Sequence, residues 1–144
     1  MDEQLNALLE ARSELEVKVL HTHIRIIRDE MMERNIFTSS MHVNEVIKSC
    51  SDYIRDFSEG ALEDFKRACA VSPKKHDAVQ LENFKEIVLE HLRKNADDVY
   101  TILENRTEAI CKALGNAGFL RYQDYTRTRE MVLKRAQAEV EIYN

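Results

Sequence analysis

The chain offers few places at which its backbone can turn. Its 144 residues include only three glycines and one proline, against average usage of roughly 7% and 5%. The regular elements must therefore be few and long. The length also fits one domain, which we place at residues 1–144.

Apolar residues recur at the spacing of amphipathic helices. We predict four helices, at about residues 2–34, 41–70, 77–114 and 119–142. Short connections between long helices favour antiparallel neighbours, so the predicted fold is all-α, four long helices in an up-down-up-down antiparallel bundle. The third helix carries mixed polar signals but keeps its apolar phase, and we predict one helix that can kink near Asn95. Gly115 fits the left-handed position that ends it.

The first helix carries two neighbouring lines of apolar residues. We expect both to belong to one broad buried face. The main line is Leu5, Leu8, Leu15, Val19 and Ile26, and the flanking line is Leu20, Ile24, Ile27 and Met31.

Charge and cysteine content restrict the class of protein. There are 21 basic and 26 acidic residues, a net charge of -5, which favours solubility and argues against wholesale nucleic-acid binding. Cys50, Cys69 and Cys111 are widely spaced and form no CxxC pair, so we expect reduced thiols. The N-terminal segment is too polar for a secretory signal. No apolar run approaches the ~18 residues of a membrane span. We expect a cytoplasmic protein.

Several polar residues fall inside the apolar arcs. Residues seven apart on a helix lie within about 20° of each other, so Glu16, His23 and Glu30 follow one line, with Arg12 beside it. We expect this line to face a helix–helix interface within the chain or between protomers, where it would fix register and partner choice. A buried proton-transfer or ligand site is the alternative. The other members of this polar layer are Asn95, Arg106 and Arg129, and Asn95 or Arg106 are the expected partners of the line.

The sequence predicts neither a metal site nor a cofactor. His21 and His23 resemble a chelating pair, yet two residues on a helix differ by about 200° and face opposite ways. Helical metal pairs need i,i+3 or i,i+4 spacing, as in the Glu-x-x-His motifs of di-iron bundles. The chain contains no Glu-x-x-His.

The stretch "HLRKNA", which begins at His91, resembles the HxxKG signature of histidine phosphotransfer domains. Those domains are four-helix bundles that carry an exposed phospho-accepting histidine. Lys94 matches the lysine one turn after that histidine, and Asn95 stands where the family has glycine. The resemblance implies phosphoryl transfer through an exposed His91.

The stretch "RNIFTSSMH", from Arg34 to His42, resembles the R-[NDH]-x(4–6)-H motif of the HEPN ribonucleases. Those all-helical proteins bring Arg and His together at a dimer interface. The imidazole would move a proton near neutral pH, and the guanidinium would hold a phosphate. The resemblance implies a metal-independent ribonuclease that uses Arg34 and His42.

The leading hypothesis is a non-enzymatic helical bundle that binds a protein partner or a second copy of itself. The first and third helices exceed 30 residues while the fourth is shorter, so part of the bundle would leave a helix face uncovered. A second copy could cover that face. No convergent set of catalytic residues points to an enzyme.

Overall fold

The computed structural model describes residues 2–71, 78–115 and 122–142. Within them the chain forms four helices and no strand, which confirms the predicted all-α fold. None of these helices is both long enough and apolar enough to cross a membrane. The helices are α1 (Asp2–Glu33), α2 (Ser40–Val71), α3 (Ala78–Ala113) and α4 (Gln123–Glu141).

Contacts between the helices follow the predicted up-down-up-down order. Asn6 contacts His91, and His21 contacts Arg106, so α1 and α3 run parallel. Residues nearer the start of α4 contact residues nearer the end of α3, so these two helices are antiparallel. Their contacts join Tyr122 to Thr107 and Arg129 to Asp97.

The four helices are not equally covered. α2 and α3 pack against each other and against both remaining helices, whereas α1 contacts α2 and α3 but not α4. α1 and α4 therefore lie on opposite flanks of a central α2–α3 pair. The consequence is visible in burial: α2 buries fifteen of its 32 residues, and α1 of the same length buries five.

Two helices end in the left-handed conformation that satisfies their last carbonyls. Asn35 has φ 57°, and the amide of Ile36 donates to the Met31 carbonyl at 2.8 Å, closing a Schellman motif. Asparagine tolerates this conformation better than other non-glycine residues. Gly115 has φ 71°, which confirms the predicted end of the third helix.

α3 is helical without a break through its polar run. Asn95 and Ala96 are buried there, while Asp97 and Asp98 are exposed. The hydroxyl of the fully buried Tyr125 donates to the Ala96 carbonyl and ties α4 to this turn. The mixed signal in the sequence thus reflects two faces of one helix.

Candidate interaction surface

A bidentate ion pair joins α1 to α2. Arg12 Nε donates to Asp64 Oδ2 at 2.8 Å and Nη2 donates to Oδ1 at 3.0 Å. The Asp64 side chain is 1% exposed and that of Arg12 is 28% exposed. Hydrogen bonding to Asp64 raises the pKa of Arg12. A carboxylate this deeply buried needs such a pair, because an isolated buried charge is costly.

Gly60 and Glu16 lie beside this ion pair, and we call the four residues Arg12, Glu16, Gly60 and Asp64 the clamp. A Cβ at Gly60 would lie 2.7 Å from Cζ of Arg12, so the guanidinium occupies the space that a side chain would take. Glu16 Oε1 lies 3.5 Å from Arg12 Nη1. Its Oε2 is buried and, among the described residues, has no hydrogen-bond partner. Burial raises the pKa of Glu16 despite the opposing effect of Arg12.

Asn95 makes a second set of polar contacts, which joins three helices. The side chain is 3% exposed, and its Nδ2 donates to Tyr53 Oη at 2.9 Å and to Ser13 Oγ at 3.4 Å. Burial raises the pKa of Tyr53. The Asn95 amide therefore fixes the relative heights of α1, α2 and α3.

In the structure, the three residues of α1 that are spaced by seven have different surroundings. Glu16 lies in the clamp, but His23 and Glu30 are exposed. The prediction that these two face an interface within the chain is therefore wrong, and an interface between protomers stays a prediction. Arg106, an expected partner of the line, instead contacts His21 Nδ1 at 3.2 Å. Burial, together with the charge of Arg106, lowers the pKa of His21.

Arg129 covers an aromatic ring. Its Cζ lies 5.7 Å from the centroid of the Tyr100 ring, and its Nη1 donates to Asp97 Oδ1 at 3.4 Å. Both contacts hold α4 on α3. This arginine is thus engaged in contacts with α3.

Arg34 and His42 do not form a common site. His42 is 2% exposed, and its Nδ1 lies 2.8 Å from the Phe37 carbonyl oxygen. Its ring also makes an edge contact with the Phe37 ring. Arg34 is exposed and contacts Met41 Sδ. The imidazole stabilises the turn before α2. This geometry does not favour a ribonuclease that uses Arg34 and His42.

His91 lies on the wall of a cleft between α1 and α3. The cleft has a volume of about 290 Å³ and includes Lys94 and Asn95 in its lining. His91 Nε2 lies 2.8 Å from Asn6 Oδ1, and burial lowers the pKa of the imidazole. Phosphoryl transfer needs a free ring nitrogen at the surface, so this contact does not favour that function.

The main apolar line of α1 faces away from the core. The flanking line, with Leu20 and Ile24, is buried instead. Apart from Leu5, the residues of the main line are 47–67% exposed and fall within an arc of about 40° on the helix. We call this surface the α1 stripe; it consists of Leu8, Leu15, Val19 and Ile26.

Comparison of the chain with protein-family models, curated proteins and solved structures finds no match. Within residues 2–71, 78–115 and 122–142 there is also no group of three or more histidine, cysteine, aspartate or glutamate side chains placed to hold a metal ion. On the surface of the bundle, the α1 stripe is a line of large apolar side chains that the core leaves exposed.

Proposed function

We propose that this protein is a non-enzymatic helical interaction module that forms a homodimer through the α1 stripe. The observation that carries the proposal is the stripe itself, four large apolar side chains in one line on a helix that, among the four described helices, packs against two. Single exposed apolar residues are ordinary on protein surfaces, whereas contiguous apolar patches mark interaction sites.

The spacing of the stripe supports a helix as the occupant. Its members are separated by seven, four and seven residues, which is the a/d pattern of a coiled-coil seam. Leu8 and Leu15 take d positions, and Val19 and Ile26 take a positions. The seam spans residues 8–26, or about 28 Å at 1.5 Å per residue.

A second copy of the chain is the occupant that the surface best fits. A stable interface covers about 800 Å² on each partner, which is more than the stripe alone supplies, so the flanking polar residues must contribute. Those flanks carry charges of both signs: Lys18 and Arg25 lie on one side, and Glu16 and Glu30 on the other. A surface with both signs beside an apolar seam can be complementary to itself, as a twofold interface requires.

A cytoplasmic location belongs to the same proposal. Cys50, Cys69 and Cys111 are all buried free thiols. Unpaired thiols in a folded core fit a reducing compartment.

Light scattering on matched variants tests the proposal. We expect the wild type at high micromolar concentration to show about twice the 16.8 kDa mass of the chain. Leu15→Glu should give a monomer, while Met131→Glu on α4 should stay dimeric, although the two residues are exposed to almost the same extent, 67% and 68%. Circular dichroism should show both variants folded. A monomeric wild type, or equal behaviour of the two variants, would contradict the proposal.

A further inference from the structure

We infer that the two copies of α1 pair parallel and in register, so that Arg25 of each copy faces Glu30 of the partner subunit. This inference rests on the proposed homodimer and adds its geometry. The spacing alone does not choose an orientation, because gaps of seven, four and seven residues read the same in both directions. An antiparallel pair would place Leu8 against Ile26 of the partner subunit.

The choice of apolar residue fits a two-stranded pair when the helices run parallel. In parallel two-stranded coiled coils, β-branched residues at a and leucine at d favour dimers. The α1 stripe has this distribution, with Val19 and Ile26 at a, and Leu8 and Leu15 at d. In a parallel dimer each layer contains two identical side chains, so leucine packs with leucine and β-branched residues pack together.

The flanking charges distinguish the two orientations and favour the parallel one. Lys18 and Arg25 occupy g positions, and Glu16, His23 and Glu30 occupy successive e positions. In a parallel pair, g of one helix faces e of the other five residues further on, so Arg25 meets Glu30 of the partner subunit, while Lys18 meets His23 of the partner subunit. An antiparallel pair in the register above would bring Lys18 against Lys18 of the partner subunit.

Cysteine cross-linking distinguishes the two orientations. Thr22 is exposed and occupies the d position between Val19 and Ile26. In the parallel dimer, two copies of Thr22→Cys would face each other, and a mild oxidant should link the chains. In the antiparallel dimer they would be ten residues apart along the axis, or roughly 15 Å, beyond the reach of a disulfide.

The controls are Glu14→Cys, exposed on the α3 side of α1, and the wild type, whose cysteines are buried. We expect neither to cross-link at the rate of Thr22→Cys. If Thr22→Cys is a dimer by light scattering but does not cross-link, or links no faster than Glu14→Cys, the parallel geometry is overturned while the homodimer stands. A monomer in scattering overturns both.

Charge reversal provides a second, independent readout. Arg25→Glu should weaken the dimer roughly tenfold, because two opposite-charge pairs become like-charge pairs. Adding Glu30→Arg to that variant should restore most of the affinity, since the exchanged charges meet again. In an antiparallel dimer the two residues do not meet, and an absence of rescue in a dimeric protein would overturn the inference. Low salt maximises the effect.

Discussion

Replacing Gly60 by alanine tests the clamp between α1 and α2, because the sign of the effect depends on Arg12. In the interior of an ordinary helix, glycine to alanine stabilises by roughly 1 kcal/mol. At this position the new Cβ would meet the Arg12 guanidinium. The arginine tip is flexible, but Nε and Nη2 are bonded to Asp64, so a displacement of the guanidinium large enough to clear the new Cβ strains these two bonds.

The structure supplies the magnitude. Leaving one member of a buried ion pair without its partner costs about 3–5 kcal/mol. Arg12 is 28% exposed, so water can reach part of the vacated site, and we take about 2–3 kcal/mol for displacement of the guanidinium. After subtraction of the helix-propensity gain of about 1 kcal/mol, Gly60→Ala should destabilise by about 1–2 kcal/mol. For a chain of this size that lowers Tm by roughly 4–8 °C.

A double-mutant cycle in urea measures this coupling. Arg12→Ala alone should destabilise by about 2–3 kcal/mol, because Asp64 stays buried without a partner. In that background the guanidinium is absent, so Gly60→Ala should stabilise by about 1 kcal/mol. Stabilisation by Gly60→Ala in the wild type, or the same change in both backgrounds, would refute the steric argument.

Two further predictions concern the buried polar groups. Burial raises the pKa of Glu16, so the folded state keeps this proton above the unfolded pKa of about 4.3, and stability should fall as pH rises from there through the folded pKa. Glu16→Gln should remove that loss in thermal melts between pH 4 and 8, and identical profiles would contradict it. Asn95→Ala should cost about 1–3 kcal/mol in urea unfolding, because the buried Tyr53 hydroxyl loses its donor; an unchanged midpoint would contradict a structural role for this amide.

The fold could be predicted from the sequence where a helix has a single apolar face. α2 packs against the three other described helices. Its broad apolar arc, which includes Phe57 and Phe65, therefore lies in the core. The end of α3 at Gly115 was predictable for a local reason, since the left-handed conformation favours glycine. These features depend on short-range spacing and backbone chemistry.

The buried line of α1 could not be chosen from its own sequence. Two apolar lines lie side by side on this helix, and which one enters the core depends on where α2 and α3 cross it. The structure buries Leu20 and Ile24 and exposes Val19 and Ile26. His23 is exposed as well, so the prediction that it faces an interface within the chain is wrong, while an interface between protomers stays a prediction. Packing between helices, which local periodicity does not encode, decides this choice.

The sequence contains a signal for the clamp that the prediction did not include. Asp64 lies beside Phe65 on the apolar side of α2, and both are buried. A carboxylate in such an arc needs a cation from another helix. Gly60 lies four residues earlier, one turn away on the same face, and an isolated glycine within a helical pattern often marks close packing. Together the two residues indicate where a bulky cation from a neighbouring helix must enter, although not which arginine provides it.

The clamp and the α1 stripe are linked through Arg12. This residue occupies an a position of the stripe's heptad, between Leu8 and Leu15, where a charge would weaken a dimer. Because Asp64 binds the guanidinium in the space beside Gly60, this charge is kept out of the seam. Gly60→Ala should therefore release the charge towards the seam and raise the Kd of the dimer.

Sedimentation equilibrium on folded protein measures this effect, which we expect to be roughly tenfold. Tyr125→Phe is the matched control, since it removes one buried hydrogen bond between α4 and α3 and costs about 1 kcal/mol of stability far from α1. A general loss of stability would shift both Kd values alike and would contradict the link. A shift confined to Gly60→Ala is expected if a contact inside the monomer keeps the dimer surface free of charge.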